Sequence, residues 1–375
     1  MSAWRAPWIC TPPWRRAWLQ VARVTDTGAG GGSPASGAPV SNASSIAEPA
    51  SAGGSSVDLS GRVALVIPTF NGGPRWQRVM DAWLDQTGVG PLQIVCPDSG
   101  SSDGSDEVSR RAGADVIEVA QADFSHGGTR NLAVQHTERE FVILSVQDAL
   151  PLSPALASEL VRPLAEDDSL CATFGRQVPL PGCHPVLRQR IGAWAGGSEI
   201  ELQALGARSW SALNPWERLA LIRYDHVIAA MRRSVWEQLP FEPVNFGEDV
   251  SWSRRVILDG GKLAFVPDAA VEHSHDRSAW DEARRIYCDH RNLRRLVGLV
   301  AVPSRADMAV NVAAAREHYR QLIDATEGVD DGTRRAWQRW AFDLARYENW
   351  AQYLGANFGL RWWFTPLDRW LRRGI

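Results

Sequence analysis

Lysine is all but absent from this chain of 375 residues: Lys262 is the single lysine among 40 basic residues, the rest being arginine. That skew fits a GC-rich coding sequence rather than a function. With 43 acidic residues the net charge is only -3, which leaves no basic footprint of a nucleic-acid binder. Cysteine is scarce as well. Cys10, Cys96, Cys171, Cys183 and Cys288 are odd in number and show no CxxC spacing, so reduced thiols are expected rather than a disulfide framework or a zinc site. No apolar run approaches the roughly 18 residues of a membrane span. The first residues carry Arg5, Arg15 and Arg16 but no apolar stretch of a secretory signal, so a cytoplasmic protein is expected. Also missing after the first predicted strand are the G-x-G-x-x-G turn and the Walker loop, which disfavours a dinucleotide fold of the usual kind.

What is present falls into three stretches. Residues 1–60 are dominated between Thr27 and Ser56 by Gly, Ala, Ser and Pro without periodicity. Such a segment cannot bury enough apolar surface to offset its ordering entropy, and it is expected to be a disordered leader. From Arg62 strands and helices alternate. Val63–Ile67, Leu92–Cys96, Val116–Val119 and Phe141–Val146 read as strands. Trp76–Asp85, a segment capped by Asp103 and running to Ala112, and Gly127–His136 read as helices. This rhythm predicts a Rossmann-like α/β domain over 61–295, with a mainly parallel sheet and flanking helices. Within it, Gly175–Leu221 is rich in Pro, Gly and Trp and reads as irregular, Ile222–Trp236 as regular again, Asp249–Leu258 as a helix and Lys262–Val266 as a strand. Residues 296–375 are expected to form a helical C-terminal region.

Polar groups collect at the strand ends. Pro68-Thr69-Phe70-Asn71 follows the first strand, Asp98 the second and Gln147-Asp148 the fourth. In open α/β sheets the carboxyl ends of the strands are where ligands bind, and carboxylates there suit a ribose, a phosphate-bridging cation or both. Taken singly, each is also an ordinary turn residue. Glu248-Asp249 opens a helix, where the dipole favours acids in any case. Val271-Glu272-His273-Ser274-His275 closes a strand with a histidine pair that could supply a metal ligand.

The ordered set VALVIPTFNGG (63–73), IVCPDSGSSDGS (94–105), DFSHGGTRN (123–131), FVILSVQDALP (141–151), AAMRRSVWEQLPF (229–241), FGEDVSW (246–252) and AAVEHSH (269–275) resembles the family 2 glycosyltransferases of the GT-A fold, and within them the bacterial rhamnosyltransferases. The resemblance implies an inverting transferase that moves L-rhamnose from dTDP-L-rhamnose to a saccharide or polyprenyl-linked glycan. It implies donor contacts at Pro68, Thr69, Asn71, Asp98, Arg130, Asn131, Gln147 and Asp148. It also implies Mg²⁺ or Mn²⁺ held by Asp148 and His273, with His275 as the alternative ligand, and Asp249 as catalytic base with Glu248 beside it. The family's acidic pair around one residue is here Gln147-Asp148-Ala149, which leaves fewer charged metal ligands. Other readings are a GT-A transferase of another nucleotide sugar such as a UDP-hexose, a nucleotidyltransferase, and a non-catalytic nucleotide- or glycan-binding module. Of 18 tryptophans, three lie in the terminal run RWWFTPLDRWLRR (361–373), interleaved with arginine. That pattern suits peripheral contact with an anionic membrane.

Overall fold

The structure, a computed structural model, describes residues 57–194 and 196–375. The expected leader therefore lies outside the described residues except for 57–60, and Leu59 is already buried in the core at 1% exposure.

The first half of the domain alternates β1 (Val63–Val66), α1 (Gly73–Leu84), β2 (Gln93–Asp98), α2 (Ser105–Arg111), β3 (Asp115–Glu118), α3 (His126–Gln135) and β4 (Phe141–Ser145). The second half holds β5 (Leu150–Pro151), α4 (Leu156–Glu166), β6 (Leu170–Val178), α5 (Pro185–Trp194), β7 (Glu201–Gln203), α6 (Pro215–Ile222), β8 (Ile228–Arg232), α7 (Arg233–Gln238), α8 (Glu248–Leu258) and β9 (Lys262–Glu272). The strands form one nine-stranded sheet in the order β3-β2-β1-β4-β8-β6-β9-β5, with β7 added against β9. Pairing is parallel from β3 to β4, antiparallel on both sides of β8, and parallel again between β6 and β9. The mixed, mainly parallel sheet matches the expected fold class.

Burial on both faces explains the unbroken apolar strands. Successive residues alternate between two layers: Leu65, Phe141 and Ile143 pack on one side with Trp76, Trp83 and Leu160, while Val66, Val142 and Leu144 pack on the other with Phe174 and Trp252. Helix α1 buries Trp76, Val79, Met80 and Trp83, the one-face spacing of an amphipathic helix.

Several sequence expectations are corrected. The segment 175–221 is not irregular: β6 runs on to Val178, and α5, β7 and α6 follow. Helix α6 starts with Pro215 behind a capping box in which Asn214 accepts from the Glu217 amide and Glu217 accepts from the Asn214 amide. The stretch 222–236 is regular as expected, holding the end of α6, strand β8 and the start of helix α7. The cap of α2 is Gly104, in the left-handed region at φ 87°. Asp103 stands one residue earlier, accepting from the amides of Ser105 (3.0 Å) and Gly73 (2.8 Å), so it laces two loops as well as the helix start.

Three long helices follow, α9 (Ala279–Val297), α10 (Arg305–Asp324) and α11 (Asp331–Asn357), with the short α12 (Thr365–Arg372) at the end. Helix α9 runs across the expected boundary at 295. Its Leu296 and Val297 enter the core beside the sheet, whereas Ala283 and Tyr287 pack with Leu354, Phe364 and Leu371 of the C-terminal helices. Among the described residues no helix is long and apolar enough to cross a membrane.

Candidate active site

Three constellations gather at the carboxyl ends of the central strands. The first joins the loops after β1 and β2. Thr69 bridges to Asp98, and the Gln147 amide accepts from Phe70 N (2.7 Å) and donates to Phe70 O (3.0 Å). Asp98, 4% exposed, accepts from the amides of Gly100 (2.9 Å) and Ser101 (2.8 Å) and from Ser101 Oγ (2.6 Å). Asn71 sits at φ 46°, a left-handed conformation that asparagine tolerates, and its Oδ1 accepts from Ser102 N at 2.9 Å. Asp98, Asn71 and Gln147 thus brace this double loop, whose backbone begins at Pro68.

The second constellation is a cluster of Asp148, His273 and His275, whose ligand atoms lie within 4.8 Å of one another. Asp148 Oδ1 is 3.6 Å from His273 Nε2 and its Oδ2 is 3.5 Å from His275 Nδ1. Both histidines of the sequence motif therefore face the carboxylate, not one of them. Burial holds both imidazoles below their ordinary value of 6.5, His275 at about 4 with His273 adding to the effect. Neutral imidazoles carry the lone pair that a metal needs. Arg75 of α1 clamps the two ligand-bearing segments, donating from Nε to Asp148 O and from Nη2 to Glu272 O, each at 2.9 Å.

The third lies between α3 and α8. Arg130 Nη1 donates to Glu248 Oε1 at 2.9 Å, and His226 Nδ1 is 3.2 Å from the same oxygen. Burial raises the Glu248 carboxyl, but Arg130 and His226 outweigh it and bring the value down to about 2. Next to it, Asp249 is pushed well above the ordinary carboxylate range by burial and by the Glu248 charge, although its Oδ1 accepts from Val250 N at 2.7 Å. Asn131 was expected at the donor. The structure places its amide elsewhere: Nδ2 donates to Phe241 O (2.8 Å), while Oδ1 accepts from Phe241 N (3.0 Å) and Trp236 Nε1 (2.8 Å). It ties α3 to the segment after α7 and is spent on the fold.

Arg130, Glu248 and Asp249 open on a cleft of about 790 Å³ that continues to Arg190, Tyr319 and Glu348 of the helical region. A cleft of this size suits a small-molecule site. Four groups on its wall escaped the sequence reading. His126 and His226 are both held near 4, chiefly by burial and then, for His126, by Arg130. Tyr224 is fully buried, and Asp225 accepts from Trp194 Nε1 at 2.7 Å. The run Tyr224-Asp225-His226 just before β8 carries ionisable side chains into a buried turn, and that was the available signal.

The chain matches the model of the family described as "Glycosyltransferase like family 2" over residues 61–287. It is 30% identical over 235 residues to the O-antigen chain rhamnosyltransferase RfbN of Salmonella typhimurium, covering 60% of this chain and 70% of that protein. It is also 30% identical over 232 residues to the O-antigen chain rhamnosyltransferase WbaN of Salmonella anatum, covering 60% and 69%. Among solved structures it resembles the mannosyltransferase PcManGT from Pyrobaculum calidifontis, solved with GDP-Man and Mn²⁺. That match has a TM-score of 0.50 and 16% identity, and covers 79% of this chain and 87% of that one, a likeness of fold.

Proposed function

The chain belongs to glycosyltransferase family 2, and we propose that it transfers L-rhamnose from dTDP-L-rhamnose to a saccharide or polyprenyl-linked glycan acceptor, with inversion at the anomeric carbon. The donor assignment draws on the two rhamnosyltransferases it resembles over most of their length. The observation that carries the mechanism is the different setting of two neighbouring carboxyls in one cleft: Glu248 is bonded to Arg130 and His226, whereas Asp249 accepts from the Val250 amide, and burial beside the Glu248 charge raises its proton affinity.

Asp249 accepts the proton of the attacking acceptor hydroxyl. The new glycosidic C–O bond forms as the bond from the anomeric carbon to the diphosphate oxygen breaks, and dTDP leaves with the electron pair. A base with raised proton affinity suits this task, because the developing alkoxide needs a strong acceptor. The Arg130–Glu248–His226 network fixes the helix start that carries Asp249. The braced loops at Pro68, Thr69, Asn71, Asp98 and Gln147 shape the nucleotide end, with Arg130 at the cleft wall.

Asp148, His273 and His275 would hold a divalent cation. One carboxylate and two neutral imidazoles fit such an ion, and the nitrogen content favours Mn²⁺ over Mg²⁺, which prefers oxygen donors. Bound there, the ion would neutralise charge on the leaving diphosphate. The acceptor end is the helical region, whose final segment, residues 361–373, exposes Trp362 (86%), Trp363 and Trp370 beside Arg361, Arg369 and Arg373. This surface suits the headgroup layer of an anionic membrane carrying a lipid-linked acceptor.

Asp249→Asn tests the base: transfer should fall by about 10²–10⁴-fold while dTDP binding is kept. Because the carboxyl must be ionised to act, wild-type kcat/KM should decline as pH drops through a value above the ordinary 3.8. Unchanged turnover in the variant would refute the assignment. A panel of nucleotide sugars tests the donor, and turnover of a UDP-hexose without turnover of dTDP-L-rhamnose would overturn it.

A further inference from the structure

We propose that Gln177 is a positioning residue for the cation site: its side-chain amide locks the His273 imidazole as the Nδ1–H tautomer and so presents Nε2 to the ion beside Asp148. This rests on the cation-binding part of the function proposed above.

The arrangement is built by strand register. β6 and β9 run parallel with Gln177 opposite Val271 and Val178 opposite Glu272, and His273 N continues the ladder by donating to Val178 O at 2.8 Å. The Gln177 side chain therefore reaches the ring of the residue that follows the end of the partner strand. Its Oε1 is 3.0 Å from His273 Nδ1. An amide can be turned end for end, so which end faces the ring must be decided by its other neighbour. That neighbour is Asp225, whose carboxyl the Gln177 side chain helps to lower against the effect of burial. The Asp225 carboxyl oxygens already accept from Trp194 Nε1 (2.7 Å) and Val227 N (3.0 Å), so the group turned to Asp225 is the donating NH₂. The amide oxygen then faces His273, and an oxygen that can only accept requires the proton on Nδ1. A neutral ring has one N–H, so the lone pair is on Nε2, the atom 3.6 Å from Asp148 Oδ1. Metal-ligating histidines are oriented in this way by the partner of their other nitrogen.

The test uses the full chain and three measurements. Gln177→Met keeps the volume and removes the acceptor, and Gln177→Glu restores an acceptor at the same reach. ¹⁵N spectra of the metal-free protein should show His273 as Nδ1–H in the wild type and in Gln177→Glu, and as a tautomer mixture in Gln177→Met. Mn²⁺ titration followed by electron paramagnetic resonance should give an affinity about 10- to 100-fold weaker in Gln177→Met and largely recovered in Gln177→Glu. dTDP affinity in chelator should be the same in all three, a result that a misfolded variant would not give. Wild-type tautomer and Mn²⁺ affinity in Gln177→Met would overturn the proposal. A wild type that keeps the Nδ1–H tautomer yet binds no Mn²⁺ would overturn the cation reading itself, and the positioning role with it.

Discussion

Removing Arg130 should destabilise the protein out of proportion to the one hydrogen bond it makes to Glu248. The two side chains are only 4% and 6% exposed, so Arg130→Met leaves a carboxylate in the interior with His226 as its remaining partner. Breaking a buried ion pair from one side costs about 3–5 kcal/mol. Proton linkage gives a similar figure. The Glu248 carboxyl falls from 4.5 to about 2, burial opposing the shift and Arg130 and His226 driving it. At about 1.4 kcal/mol per tenfold change in proton affinity, that amounts to about 3 kcal/mol. The sign follows from the depression: the stabilisation is complete above pH 4.5 and is lost as pH falls from there toward 2. Urea unfolding at neutral pH should therefore show Arg130→Met less stable by about 3 kcal/mol, with a flatter decline of stability between pH 5 and 3 than the wild type. A double-mutant cycle with Glu248→Gln isolates the pair, and the double variant should be clearly more stable than the sum of the single losses predicts. Additivity within about 0.5 kcal/mol, or an acid slope unchanged by the substitution, would refute the reasoning.

Asn131→Leu should cost about 3 kcal/mol or more in unfolding experiments, since it strands the Trp236 indole N–H and both backbone groups of Phe241. dTDP binding of the folded variant should be unchanged, which separates its role in the fold from a donor contact. Gly127→Ala should lower the melting temperature more than Gly128→Ala. A Cβ at 127 would lie 1.8 Å from the Glu242 carbonyl oxygen, whereas at 128 it meets the Ser125 hydroxyl, which can rotate away at the loss of a cap worth about 1 kcal/mol. Trp362→Ser combined with Trp370→Ser should abolish co-sedimentation with phosphatidylglycerol vesicles while leaving the melting temperature unaltered, and retained binding would remove the membrane contact.

Strand ends were legible in the sequence because β1 and β4 are buried on both faces and read as unbroken apolar runs that stop at polar residues. That placed Thr69, Asp98, Gln147 and Asp148 along one edge. What they touch was not legible. Asn131 lies beside Arg130 in the same motif, yet its partners stand 105 and 110 residues away, and no local pattern encodes that approach. The wall of the cleft was hidden for the same reason: Tyr224, Asp225 and His226 become a site only when β8 inserts antiparallel between β4 and β6. Helix α6 is a different case. Its capping box, Asn214 to Glu217, was present in the sequence but lay within a stretch dense in Pro, Gly and Trp, whose composition masked the helical signal.

Glu248 and Asp249 show how one helix turn can yield two acids of different kind. Both meet the favourable dipole of α8, so the dipole does not separate them. Successive residues on a helix point about 100° apart. One direction leads into the wall formed by Arg130 and His226, the other into the cleft. Glu248 thereby gains a cation and stays ionised, while for Asp249 burial and the repulsion of its neighbour outweigh the lowering by the Val250 amide and Arg130. The ionised state of Glu248 is itself a cause of the raised proton affinity of Asp249. A carboxylate with a value near 2 is a poor proton acceptor, so Glu248 is unsuited to the base role however close it lies to the acceptor. Environments that drive two carboxyls apart assign their roles, and here the assignment depends on Arg130. Its loss would take from Glu248 the cation that holds its carboxyl down, and the Glu248 value would rise. The arginine of the HGGTRN motif is therefore what keeps the first acid of this helix turn ionised beside the second.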